Sequence, residues 1–215
     1  MDIEVTEIGE KAAPQRLGRR ALLGAGVGGA ALSLLPLLSG RAVAAPAEGE
    51  NTTTTAPPTR PTSADVALLA FAQQLELTAR DLYDKALAAT GWSAAELTVV
   101  STFRESHEAY AQSLSGLLGA DAPGAASPEL LRTLGSGWAG APGKFLAAAY
   151  ELESAAVATH ADLIAQLQGT DALSLIASIQ IAEARHGTVL ADMAGMTELP
   201  DLLVETEANS LLVQG

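Results

Sequence analysis

The 215-residue chain holds only three histidines. Each falls in register with residues spaced alternately three and four apart. One line reads Val100, Phe103, His107, Tyr110, Leu114, Leu117. A second reads Leu146, Ala149, Glu153, Ala156, His160, Leu163, Leu167, and a third reads Ile176, Ile179, Glu183, His186, Leu190, Met193. On an α-helix such residues share one face. If an inner seam takes about two positions in seven, chance would put all three histidines there in roughly 2% of cases. Glu153 and Glu183 lie on the same lines, and Glu76 lies on a fourth: Leu69, Ala72, Glu76, Ala79, Tyr83. An isolated ionised carboxylate in an apolar interior is costly and normally takes up a proton, and several at one level repel one another. A divalent cation offsets that repulsion, and carboxylate and imidazole donors without sulfur suit iron, manganese or zinc. Hydrogen-bonded Glu–His pairs that satisfy each other are the other way to keep such groups buried.

Four helices are needed to carry these lines. Ser63 can cap a first helix running to about Thr90 before Gly91, and Ser93 with Glu96 forms a capping box for a second that ends near Gly119. A looser stretch from Ala120 to Gly143 predicts only a short helix at Ser127-Pro128. A third helix over about Lys144 to Gln168 stops at Gly169, and a fourth runs from Asp171 to near Gly195. Short 1–2 and 3–4 loops with a long 2–3 connection predict an all-α, antiparallel four-helix bundle with a central crossover. The first helix has a fully apolar second line, Leu68, Ala72, Leu75, Ala79, Leu82, which would put Glu76 at the edge of its inner face. The tail from 196 to 215 reads as coil or a short helix.

Composition narrows the function classes. With no cysteine, disulfides, zinc-thiolate sites and thiol catalysis are excluded. A formal charge of -13 repels phosphate backbones, so nucleic acid is not an expected partner. There is no G-x-S-x-G or H-E-x-x-H to suggest a hydrolase. Residues 1–44 read as a signal peptide: a polar start ending in Arg19-Arg20, an apolar stretch rich in glycine, and the small residues Ala42-Val43-Ala44. The paired arginines resemble a twin-arginine signal, which implies export of a folded protein, to the cell envelope or beyond. Residues 45–62, APAEGENTTTTAPPTRPT, read as a disordered Pro/Thr-rich linker, and the folded domain is expected over 63–195.

The polar centre and its helices resemble the ferritin-like superfamily. There, the first and third helices each give one Glu to a two-metal centre, and the second and fourth each give Glu-x-x-His. Glu183-Ala184-Arg185-His186 matches the fourth-helix motif, which implies a bridging Glu183 and a terminal His186. Glu153, in LESAAVATH, and Glu76, in LELTARDLY, stand where the single glutamates would. The second helix departs from the pattern. Its inner i, i+3 pair is His107 and Tyr110, while Glu105 and Glu108 point away from the seam.

The resemblance thus implies the candidate metal ligands Glu76, His107, Glu153, Glu183 and His186. Glu153, Glu183 and His186 would surround one ion, with Glu76 and His107 beside its neighbour. His160, two turns or ~10 Å beyond Glu153 along the axis, reads as core or as an outer support rather than a ligand. Tyr83 reads as core packing.

The functional expectation is an exported ferritin-like domain protein that binds one or two iron or manganese ions, with oxidase or peroxide-consuming activity at a partly degenerate centre. The alternative is a non-catalytic envelope stress or binding protein that holds no ion. Whether the chain is an enzyme stays open at this point. A homo-oligomer is compatible with the sequence, and membrane contact is expected only through an uncleaved signal segment.

Overall fold

The computed structural model describes residues 56–198 and 208–212. The expected signal peptide and most of the linker lie outside the described residues, as does most of the tail; residues 208–212 form no helix. The described chain contains α1 (Ser63–Leu87), α2 (Ala94–Leu118), the short α3 (Pro128–Leu134), α4 (Pro142–Gln166) and α5 (Thr170–Met193). It is all-helical, with no strand among the described residues, and none of its helices is long and apolar enough to cross a membrane.

The helix starts follow from local chemistry. α1 is capped by Thr62, one residue before the expected Ser63. The Asp65 amide donates to Thr62 Oγ1 at 3.3 Å, and the Thr62 amide donates to Asp65 Oδ2 at 2.7 Å. Ser93 and Glu96 make the expected box at α2, and Ser127 with Pro128 opens α3. α4 starts two residues earlier than the sequence suggests, at Pro142, whose ring pre-sets the first helical φ.

α5 has no side-chain cap, because Gly169 stands at its N-cap. The amides of Thr170 and Asp171 instead donate to the carbonyls of Pro58 (3.0 Å) and Thr59 (2.9 Å). The end of the expected linker is therefore part of the folded domain, held by the backbone donors that every helix start leaves over. Asp65 strengthens the same junction by accepting from the amides of Gln168 (2.8 Å) and Gly169 (3.0 Å). Only glycine fits at 169, since a Cβ there would lie 2.7 Å from the Arg60 carbonyl oxygen.

Cross-helix contacts fix an antiparallel arrangement. Between α1 and α2, Arg80 meets Glu108 and Asp84 meets Arg104, in opposite chain directions; between α4 and α5 the short turn from Gln166 to Thr170 reverses the chain, and Val157 meets Gln180 and His160 meets Glu183 across the pair. The two hairpins then pair through α1 with α4, where Tyr83 meets Glu153, and through α2 with α5, where Phe103 stacks on His186.

The crossover from α2 to α4 runs along the outside of α1. Gly124 N–H donates to Gln73 Oε1 (2.9 Å), Ser127 N–H donates to Thr78 Oγ1 (3.2 Å), and Leu130 packs on Leu75. This cover explains why both apolar lines of α1 carry buried residues, and why Glu76 is fully buried instead of lying at an edge.

Two apolar clusters fill the bundle, one on each side of a polar layer. The first is aromatic, with Tyr83, Phe103, Trp138 and Phe145 packed around Leu82, Val100 and Leu190. The second is aliphatic and contains Leu69, Leu114, Leu163, Ile176 and Ile179.

Candidate metal centre

The polar layer holds Glu76 from α1, His107 from α2, Glu153 and His160 from α4, and Glu183 and His186 from α5. Five are fully buried, and His186 is 8% exposed. His107 lies between two carboxylates, with Nδ1 2.7 Å from Glu76 Oε2 and Nε2 3.2 Å from Glu153 Oε1. His160 Nδ1 is 2.6 Å from Glu183 Oε2, and its Nε2 faces Glu76 Oε1 at 3.4 Å. His186 Nδ1 approaches Glu153 Oε1 at 3.5 Å. The Tyr83 hydroxyl donates to the same oxygen at 2.6 Å, and its ring stacks on His107 with centroids 5.4 Å apart.

Burial and charge act against each other across the layer. Burial alone would lower the His107 pKa, but the Glu153 and Glu76 carboxylates on either side hold it well above the ordinary value, so the doubly protonated ring donates to both. Burial likewise works against an ionised Glu153, yet His107 and His186 keep it well below the usual carboxylate range. Glu183 is pushed well up by burial and by the Glu76 and Glu153 charges, whereas burial pushes His160 down. The Glu183 carboxyl and the His160 imidazole are thus both biased toward their neutral forms. Burial first, and then Glu153, raise Tyr83 well above its ordinary value, so its hydroxyl stays a donor.

This arrangement leaves donors unused. Glu76 Oε1, Glu153 Oε2, His160 Nε2, Glu183 Oε1 and His186 Nδ1 are buried and make no hydrogen bond. Five such atoms in one layer are far outside the ordinary satisfaction of buried polar groups. Single donor atoms from His107, Glu153 and His186 lie within 4.8 Å of one another, and so do donor atoms from Glu76, His160 and Glu183. Three imidazoles and three carboxylates in two such groups fit divalent first-row cations.

The structure brings all five sequence-derived candidates, Glu76, His107, Glu153, Glu183 and His186, into the layer, and it changes their partners. Glu153 and His186 group with His107, whereas Glu183 groups with Glu76 and His160. His160, read from spacing as core or support, reaches the layer because Glu183 and Glu76 come from neighbouring helices to its level. Glu105 is exposed, and Glu108 pairs with Arg80 and Arg104 outside the seam, as the helix phase requires. Trp138 packs edge-on against Tyr83 with centroids 5.2 Å apart, and Trp92 donates its Nε1–H to the Ala86 carbonyl.

The family model described as the ferritin-like domain matches residues 64–196. The chain therefore belongs to that family, and the match spans all five helices. No curated protein and no solved structure matches the chain.

Proposed function

We propose that this chain is an exported ferritin-like protein whose bundle holds one or two iron or manganese ions between Glu76, His107, Glu153, His160, Glu183 and His186. The observation that carries this reading is the set of five buried donor atoms left without hydrogen bonds in a layer of three imidazoles and three carboxylates. When bound, either metal would supply redox chemistry toward oxygen or peroxide. The protein's own part is binding and enclosure. The carboxylates and imidazoles hold the cation, and Tyr83 fixes Glu153 by donating to Oε1. The two apolar clusters keep bulk water out along the bundle axis. Export rests on the paired arginines and apolar stretch of residues 1–44.

Metal content of the full chain, produced with iron and manganese supplied and purified without chelator, tests the proposal. Near-stoichiometric metal that is lost in Glu183→Ala and in His186→Ala supports it. Less than about a tenth of an equivalent would leave the layer as a polar core that holds no ion. The short Glu76–His107 and His160–Glu183 contacts favour that second reading, a non-catalytic bundle. Retention inside the cell on replacing Arg19 and Arg20 with lysine would support the export assignment.

A further inference from the structure

We infer that Ser210, Leu211 and Leu212 form a releasable strap, and that the groove between α1, α3 and α4 beneath them is a binding seat for a short leucine-bearing segment, which this chain fills itself. Residues 208–212 form no helix, yet they lie against the bundle well beyond the end of α5 at Met193. The Leu211 amide donates to Thr159 Oγ1 at 2.8 Å, and that hydroxyl in turn donates to the Ala155 carbonyl at 2.6 Å. Thr159 is fully buried, so its hydroxyl oxygen presents an acceptor to the backbone that covers it. The Leu211 side chain packs with Leu75 of α1, Ala156 of α4 and Leu130 of α3, beside Phe71 and Leu134. Leu212 packs on the aliphatic cluster, and its amide donates to Ser210 Oγ at 3.2 Å, which closes a local bend.

Recognition at this seat is by one backbone amide and two leucine side chains, and the hold is light. Leu211 and Leu212 stay half-buried, and among the described residues a single hydrogen bond joins the strap to the bundle. A segment with so few buried contacts belongs to the low-stability end of a fold and opens without global unfolding. Its place gives that opening a consequence. Leu75 precedes Glu76 on α1, and Ala156 stands between Glu153 and His160 on α4, so the strap and α3 lie over the α1–α4 side of the polar layer. None of these contacts involves a side chain of the layer, so the seat does not require a metal there.

Amide hydrogen exchange of the full chain, read by NMR, tests the strap directly. The Leu211 amide should exchange about 10–100-fold more slowly than in a free peptide of residues 208–215, the closure expected from one hydrogen bond and two half-buried leucines. It should also exchange at least about 100-fold faster than amides in the middle of α1. Exchange at the free-peptide rate would mean that the segment is not seated, and exchange at the α1 rate would make it part of the core; either result overturns the proposal with no variant needed. Leu211→Asp should bring the tail amides to the free-peptide rate and leave the protection of α1 unchanged. Unfolding of that variant, or a tail that stays protected, would overturn the strap. Since a tethered segment competes at an effective concentration of millimolar order, the peptide of residues 208–215 is then added to Leu211→Asp at millimolar concentration. The Thr159 methyl resonance should return toward its wild-type position, and a peptide carrying the same Leu211→Asp change should leave it unmoved. No movement with the first peptide, or equal movement with both, would overturn the groove as a binding seat.

Discussion

The two hairpins of the bundle contribute unequally to its centre. α1 and α2 bring Glu76 and His107, whereas α4 and α5 bring Glu153, His160, Glu183 and His186. Their spacings nevertheless correspond. Tyr83 stands seven residues after Glu76 as His160 stands seven after Glu153, and the pair His107, Tyr110 answers to Glu183, His186. Where the second hairpin carries an imidazole, the first twice carries a tyrosine. Tyr83 consequently turns into the aromatic cluster and donates a hydrogen bond to Glu153, while His160 places Nε2 3.4 Å from Glu76 Oε1. The departure on α2 is therefore not a simple loss of donors, because α4 supplies two side chains to the layer.

Replacing the single glutamates should break this comparison most strongly. In the metal-free protein, Glu153→Ala removes the acceptor shared by Tyr83 and His107, and should cost about 3–5 kcal/mol, the range for breaking a buried charge pair. Glu76→Ala should cost less, and denaturant unfolding in the presence of chelator measures both. Equal losses would mean that the hairpins are energetically alike.

The tyrosines should separate next. Tyr83→Phe removes one of the donors to the fully buried Glu153 Oε1 and should cost about 1–3 kcal/mol, while Tyr110→Phe, at a half-buried site, should cost less than about 1 kcal/mol. Thermal unfolding of the two variants side by side checks the order.

Asp65, which ties α1 to the α4–α5 turn, sharpens the comparison through pH. Burial opposes its ionised form, but the Thr62, Gln168 and Gly169 amides hold its carboxyl below the ordinary value. Such a group stabilises the fold above its unfolded pKa, and the contribution is lost as pH falls through the folded value. Asp65→Asn should therefore be less stable than wild type by about 1–2 kcal/mol near neutrality. The gap should close in acid below the usual carboxylate range, as followed by urea midpoints across pH. The smallest effect is expected at the α2 cap, where Ser93→Ala should cost about 0.5–1 kcal/mol in thermal unfolding.

The helices, their count and the burial of the histidines were legible in the sequence because each depends on one helix at a time: a cap, a breaker, a three-four rhythm. The partnership of His160 was not legible. Its level is set by how far α1 and α5 slide along α4, and that offset between helices leaves no mark in any single periodicity. The double burial of α1 was hidden for a related reason, since Leu130 of the crossover covers Leu75 from a segment with little periodicity of its own. The capping of α5 by Pro58 and Thr59 escaped because proline-rich composition reads as unstructured, whereas backbone carbonyls serve as acceptors whatever the side chain.

The crossover also grades the motions of the bundle. α1 buries twelve of its 25 residues and α2 only six. Amide hydrogens in the middle of α1 should exchange with solvent only when the whole domain unfolds, while those of α2 should be released by smaller openings. Because α2 carries His107 and borders His186, the helix that breathes most easily is also the one whose departure would uncover the layer beneath it.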